Sequence, residues 1–93
     1  MGKAVLVNEK DNVVTIVSDV KKGEDIVYRI ASGTKQIKSG EDIPYGHKVA
    51  LTGIAKGGDI IKYGEAIGRA SSNISPGQWV HTHNTAETYA PSK

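Results

Sequence analysis

The chain has 93 residues with a formal net charge of +2, and it contains no cysteine. A chain of this length forms one domain with a modest core, and disulfides, thiolate metal sites and cysteine nucleophiles are excluded. The 12 basic residues form no dense stripe with interleaved aromatic residues, so we do not expect a nucleic-acid binder. No apolar run is long enough for a signal sequence or a membrane span, so we expect a cytoplasmic protein that does not associate with membranes.

Short runs rich in Val, Ile and Tyr follow one another along the chain, separated by Gly, Asn or Asp. In chain order these runs cover residues 4–7, 13–17, 26–30, 48–52, 60–63, 66–70 and 79–83. The 11 glycines and the lack of a 3.6-residue apolar period argue against helices. The pattern predicts an all-β domain, either a barrel or a compact, folded-over β structure, with a core of Val, Ile, Leu and Ala.

One motif recurs between the runs: Ile or Val, two residues, Gly, two residues, and again Ile or Val. Its copies cover residues 20–26, 37–43, 54–60 and 74–80, of which the second could be coincidental. Glycine can adopt the positive φ that a tight turn requires, and Pro76 precedes Gly77 as in a type II turn. The motif therefore predicts tight turns that each lead into a strand.

Two of the three histidines, His81 and His83, follow the stretch that carries the single tryptophan, Trp79. If that strand runs on to residue 83, both imidazoles point to one face, with Cα atoms roughly 6–7 Å apart. This spacing suits one metal ion or one anionic ligand. A divalent ion needs about three or four ligands, so the pair supplies only part of a site. The alternative is one surface histidine and one at a turn.

Two further segments carry candidate ligand-binding side chains. His47 and Lys48 follow a rigid turn, which can present a base and a cation to an anion; the alternative is a solvated turn. Lys62 could neutralise a carboxylate and Tyr63 could donate a hydrogen bond, although a polar strand face in water explains them equally. Trp79 is expected in the core.

Three motifs, in this order, carry a resemblance to a known family. They are Pro44-Tyr45-Gly46-His47-Lys48, Ile61-Lys62-Tyr63-Gly64-Glu65 and Val80-His81-Thr82-His83-Asn84. Together they resemble the N-terminal SAF-type domain of the altronate and galactarate dehydratase family, which also occurs as a small subunit, such as the alpha subunit of sulfolactate sulfo-lyase. The resemblance is dense over 43–84 and only general over 1–42. Gly53 and Gly58 depart from it, since the family usually has acids there.

The resemblance implies a β-clip fold over residues 1–84, followed by a flexible tail or exit linker over 85–93. It also implies part of a carbon–oxygen lyase that removes water, or sulfite, from an anionic sugar acid or sulfolactate. A large subunit or C-terminal region would complete the site and hold most of any Fe²⁺ or other divalent cation. The isolated chain would then be inactive.

Within such a shared site, the residues of this chain receive the following expected roles. His81 and His83 would be catalytic residues and candidate metal ligands. The expected substrate contacts are His47, Lys48, Lys62, Tyr63 and Asn84.

Two alternatives of other classes remain open at this point. The chain could be a non-catalytic SAF module that binds carbohydrate or serves assembly, with the histidines lining an interface. It could also be a self-sufficient metal binder that uses His47, His81 and His83. The oligomeric state is not readable from the sequence, and a homo-oligomer is one of the open choices.

Overall fold

The structure is a computed structural model, and it describes residues 2–86. Within those residues the chain contains short strands and no α-helix, which confirms the all-β prediction. The elements are β1 (Gly2–Val5), β2 (Val13–Ile16), β3 (Asp25–Ile30), β4 (Gly33–Lys38), β5 (Lys48–Ala50), β6 (Asp59–Lys62), β7 (Glu65–Ala70), β8 (Trp79–Val80), a 3₁₀ turn (Thr82–Asn84) and β9 (Thr85–Ala86).

The strands form a 6-stranded sheet in the order β4-β3-β1-β2-β5-β8 and a 3-stranded sheet in the order β6-β7-β9. β1 and β3 are parallel, whereas the other paired neighbours are antiparallel. The sequence prediction missed β4, because Gly33–Lys38 is polar and exposed apart from Ile37 and shows no apolar alternation. This strand exists because it forms a hairpin with β3, paired from Asp25↔Lys38 to Ile30↔Gly33.

The core consists of two clusters on opposite sides of the β2–β5 ladder. Val13 and Val14 are consecutive on β2 and point into different clusters, as do Val49 and Ala50 on β5. The members are almost all Ile, Val and Ala, as a chain without Phe predicts. The β2–β5 ladder is therefore buried on both faces.

The recurring turn is present, and its geometry repeats closely. Gly23, Gly46, Gly57 and Gly77 have φ values of 88°, 89°, 85° and 86°. In each copy the residue after the glycine donates its N–H to the carbonyl three residues earlier, as in a type II turn. The bridges Val20↔Ile43 and Ile54↔Ile74 join the residues that precede these turns in two pairs.

The predicted second copy of the turn, over 37–43, is wrong. Ile37 lies in β4, and the turn that matches the other three runs from Pro44 to His47 with Gly46 at its positive-φ position. Residues 43–49 fit the same pattern, with Ile43, Gly46 and Val49 at its defining positions. The two stretches share Ile43, so the pattern alone does not decide which of Gly40 and Gly46 forms the turn.

The end of the described chain extends the second sheet. Thr85–Ala86 pair with β7 as β9, so a strand includes the first two residues assigned to the tail. The rest of the predicted tail, 87–93, lies outside the described residues. Over 2–86 no helix has the length and apolar character that crossing a membrane would require.

Candidate functional site: a histidine cluster beside a lysine groove

The β5–β8 ladder brings two histidines together. Lys48 pairs with Val80 and Val49 pairs with Trp79, and the same antiparallel register places His47 opposite His81. Facing residues of an antiparallel pair lie within side-chain contact. The imidazole centroids of His47 and His81 are accordingly 4.9 Å apart. The register of β5 against β8, and not the spacing of the two histidines in the sequence, creates this contact.

Trp79 lies at the centre of the rings that gather here. The His81 ring stacks on the indole at 5.3 Å and 19°, and His47 meets it edge-on at 5.0 Å and 88°. His83 contacts the same indole at 5.6 Å. We call these four residues the histidine cluster. His81 and His83 are exposed, whereas His47 and Trp79 are half-buried.

The structure corrects how His81 and His83 come together. β8 ends at Val80, and a 3₁₀ turn over Thr82–Asn84 follows an extended His81. The predicted strand through residue 83, with its alternating faces, is therefore wrong. The two rings still both contact Trp79, and their centroids are 6.4 Å apart.

Asn84 is the physical reason for the turn. Its amide accepts the N–H of His81 at 3.0 Å and donates to the carbonyl of Trp79 at 2.7 Å. Asn84 is only 6% exposed. Its side chain thus replaces the backbone partners that a longer β8 would have used. The amide of Asn84 thus holds the backbone that carries His81, and its contact with substrate stays a prediction.

Lys48, Lys62 and Tyr63, three of the predicted substrate contacts, line one open groove of about 420 Å³. We call it the lysine groove. Its remaining lining is largely apolar, from Val5, Val7, Thr15, Val17 and Gly46. Two ammonium groups beside an apolar wall favour an anion with a carbon skeleton over a bare inorganic ion.

The Lys62–Tyr63 side of the groove is held by a tight hairpin turn. Tyr63 and Gly64 have φ values of 58° and 76°, the two positive values of a type I′ turn between β6 and β7. The buried carboxylate of Asp11 accepts the N–H of Gly64 at 2.8 Å. The Lys62 ammonium lies 3.9 Å from the centroid of the Tyr63 ring, a cation–π contact.

Lys48 connects the two parts of the site. It lines the lysine groove and also a second groove of about 320 Å³, to which His81, Val80 and Thr85 contribute. The two grooves therefore share Lys48, and His81 is among the residues that line the second of them. Such an arrangement can neutralise a carboxylate and accept or return a proton nearby.

The histidine cluster does not form a complete metal centre by itself. Among the described residues, no group of three or more His, Asp or Glu side chains is arranged to hold a metal ion. The Nδ1 atom of His47 already accepts the indole N–H of Trp79 at 3.1 Å. Metal ligation by His81 and His83 therefore remains a prediction that requires ligands from elsewhere.

Two residues of the site were missed by sequence reasoning. Trp79 was expected only to fill the core, yet its indole N–H bonds His47, 32 residues away. Glu41 is not among the candidate site residues of the sequence, yet its carboxylate accepts the N–H of Trp79 at 2.9 Å. Neither pairing leaves a local signal, because Trp79 meets His47 through the β5–β8 ladder and Glu41 is 38 residues from Trp79 in the sequence.

Comparison with known proteins identifies the class. The family described as the altronate/galactarate dehydratase SAF domain matches residues 2–88. The chain belongs to this family. The match includes the first half of the chain, where the sequence motifs showed only a general likeness.

Individual relatives are long enzymes and short subunits. Over 85 residues the chain is 39% identical to an altronate dehydratase of Bacillus subtilis (strain 168), covering 91% of this chain. Over 76 residues it is 43% identical to the galactarate dehydratase (L-threo-forming) of Escherichia coli (strain K12), covering 82% of this chain. The chain spans only 16% and 14% of the lengths of these enzymes.

A shorter relative has a length similar to this chain. It is the (2R)-sulfolactate sulfo-lyase subunit alpha of Chromohalobacter salexigens, 32% identical over 83 residues. The matched stretch covers 85% of this chain and 88% of that subunit.

Proposed function

We propose that this chain is the SAF-domain part of a hydroxy-acid lyase whose active site is completed by a larger catalytic region or subunit. The main support is the match to altronate and galactarate dehydratases, of which the chain corresponds to only 14–16%. The bulk of such an enzyme lies outside the matched stretch. The reaction we propose is removal of water from an anionic sugar acid.

The geometry of the site supports this reaction class. Lys48 and Lys62 would neutralise the carboxylates of the substrate, which makes the neighbouring C–H proton easier to remove. His81 is exposed beside the groove that Lys48 shares, so its imidazole could accept that proton or return one to the departing hydroxide. His83, on the same indole, would be the second proton-transferring group or a substrate contact.

A metal ion at the site would need ligands beyond those of this chain. Two exposed imidazoles can contribute ligands, but a divalent ion needs about three or four. We therefore propose that any iron or other divalent cation is held mainly by the larger region. When bound there, such an ion would polarise the carboxylate and the leaving oxygen.

A second candidate is the small subunit of a sulfolactate sulfo-lyase. One observation favours it: the chain covers 88% of the sulfo-lyase alpha subunit, against 16% of an altronate dehydratase. The chemistry of the site suits both, since sulfolactate is also an anionic hydroxy acid. Loss of sulfite would then replace loss of water.

The test is an assay of the chain alone and together with the large protein that co-purifies with it from the source cell. Altronate, galactarate and sulfolactate are supplied in turn, and oxo-acid formation and sulfite release are measured. We expect turnover only in the combined sample, with sulfite marking the second candidate. Turnover by the chain alone, or no turnover with any substrate in the combined sample, contradicts the proposal, and the latter favours a non-catalytic module.

Variants assign the histidines within the combined enzyme. His81→Ala and His83→Ala should lower kcat at least 10-fold while the chain stays folded. Lys56→Ala, at an exposed turn away from both grooves, is the matched control. Wild-type kinetics in both histidine variants would remove them from the active site.

A further inference from the structure

The hydrogen bond from Trp79 to His47 determines which nitrogen of His47 carries a proton. The indole Nε1–H can only donate, and Nδ1 of His47 receives it at 3.1 Å. An acceptor nitrogen must have a free lone pair, so Nδ1 is unprotonated. The proton of the neutral ring is then on Nε2. Among residues 2–86 this bond is the only hydrogen bond made to the ring, so Nε2–H remains available to a ligand.

The repeated turn explains why His47 is free for this contact. His47 occupies the position after the turn glycine, which is Glu24 in the first copy and Gln78 in the last. At this position a side-chain oxygen accepts the N–H of the first residue of the same turn. Glu24 accepts from Lys21 at 2.8 Å, and Gln78 accepts from Ser75 at 2.7 Å.

The turn of His47 starts at Pro44, which has no N–H. A side chain at position 47 therefore has no local donor to satisfy, and its ring is directed to Trp79 instead. The turn still fixes the backbone, because the His47 N–H bonds the carbonyl of Pro44 at 3.2 Å. Of the three side chains Glu24, His47 and Gln78 at this position, His47 is thus the one that bonds to another strand and not to its own turn.

We propose that Trp79 is a positioning residue that holds His47 in the Nε2–H tautomer, and that His47 donates this N–H to an anionic oxygen of the ligand. The inference deepens the proposed function, on which its second half rests. Negative charge grows on the substrate carboxylate as the neighbouring C–H proton leaves, and a fixed donor stabilises that charge. His47 transfers no proton in this role; it acts as a neutral electrophile, a role known for imidazole in other enzymes.

The tautomer is tested on the 93-residue chain by ¹⁵N NMR of the imidazoles at alkaline pH. We expect a pyridine-type Nδ1 and a pyrrole-type Nε2 for His47. Trp79→Phe keeps a ring but removes the donor, so the Nδ1 resonance of His47 should move to that of an unbonded pyridine-type nitrogen. His83→Gln is the control, because it changes the cluster without removing the bond.

A second measurement does not depend on Trp79→Phe folding. Trp79 is the only tryptophan, so its indole N–H gives one isolated resonance. His47→Phe should shift that resonance and speed its exchange with solvent. A proton on Nδ1 in the wild type, or an unchanged indole resonance in His47→Phe, overturns the proposal.

The donor role is tested in the combined enzyme. His47→Ala should lower kcat about 100-fold, as expected for loss of one transition-state donor. His47→Gln should recover at least 10-fold of this loss, since its amide can donate a hydrogen bond but cannot transfer a proton at neutral pH. Equal loss in both variants overturns the donor role. The NMR result needs no lyase activity, so it still decides the tautomer if the proposed function fails.

Discussion

The backbone N–H of Lys22 donates to the carboxylate of Asp42 at 2.8 Å, although the two residues are 20 positions apart. The partner turn repeats the contact in the opposite direction, where the N–H of Tyr45 donates to Asp19 at 3.3 Å. Asp19 and Asp42 each precede a residue of the Val20↔Ile43 bridge. Each turn is therefore capped by the aspartate that lies just before the other turn.

The second pair of turns has only half of this arrangement. The N–H of Lys56 donates to Asn73 at 2.8 Å, but the reciprocal positions are Gly53 and Pro76. Proline has no N–H, so an acid at position 53 would have no donor to bind. The glycine at position 53 therefore leaves no N–H of this turn without a possible cap.

A double-mutant cycle tests this explanation. Pro76→Ala restores an N–H, and Gly53→Asp supplies the acceptor; the backbone at Gly53 has room for a side chain and no positive φ. Gly53→Asp should stabilise the chain more in the Pro76→Ala background than alone, by roughly 0.5–1 kcal/mol of coupling. Urea unfolding of the four proteins measures this, and Gly53→Ala controls for the loss of glycine. A coupling of zero refutes the capping relationship.

Glu24 makes the first turn sensitive to acid. The N–H of Lys21 donates to the Glu24 carboxylate at 2.8 Å and holds the pKa of Glu24 below its ordinary value of 4.5. A lowered carboxylate pKa stabilises the fold above the unfolded value, and this contribution is lost as the pH falls through the folded value. Glu24→Gln should keep the bond without titrating, as Gln78 does in the last turn.

We therefore expect the wild type to lose more unfolding free energy than Glu24→Gln when the pH drops from neutrality to below 4.5. Thermal unfolding at a series of pH values compares the two. Glu9→Gln, at an exposed acid elsewhere, is the control. Identical acid sensitivity in wild type and Glu24→Gln would show that the Glu24 carboxylate does not cause the loss of stability in acid.

Asn84 should be important for both stability and the position of His81. Asn84→Ala leaves the carbonyl of Trp79 and the N–H of His81 without their partner, which should cost about 1–3 kcal/mol. Asn84→Asp can still accept the N–H of His81 but cannot donate to the carbonyl of Trp79. Its free energy of unfolding should therefore lie between those of the wild type and Asn84→Ala. Urea unfolding gives the energies, and the Trp79 indole resonance reports the cluster. If Asn84→Asp matches Asn84→Ala, the bond to His81 contributes nothing.

The lysine groove should determine affinity for the anionic substrate. Lys62→Gln removes one of its two ammonium groups and should raise KM in the combined enzyme about 10-fold, with less effect on kcat. The effect should shrink at high salt, since exposed charges are screened. Lys56→Gln, at a turn outside the groove, is the matched control. An equal KM for Lys62→Gln and wild type would exclude the groove as the substrate site.

Much of the fold was predictable because its signals are local. Glycines at turn positions, short β-branched runs and the lack of Phe depend only on neighbouring residues and on composition. β4 was missed for the same reason, since a polar strand that is stabilised by its hairpin partner has no apolar pattern of its own. The false turn at 37–43 shows that spacing alone does not identify which glycine adopts a positive φ.

The candidate site was only partly predictable. Lys48, Lys62 and Tyr63 were each selected, but their common groove depends on how the β6–β7 hairpin is anchored by Asp11. The caps that join Lys22 to Asp42 and Lys56 to Asn73 likewise connect residues that are far apart in the sequence.

The sequence by itself determined the all-β architecture, the family resemblance and the pair His81 and His83. Only the tertiary structure decided that Asn84 ends the strand before them and that Trp79 gathers three imidazoles around one indole. The physical reason is that antiparallel register sets which residues face each other. It follows from the pairing of whole strands, so the contact of His47 with Trp79 and His81 is invisible in any local stretch of sequence.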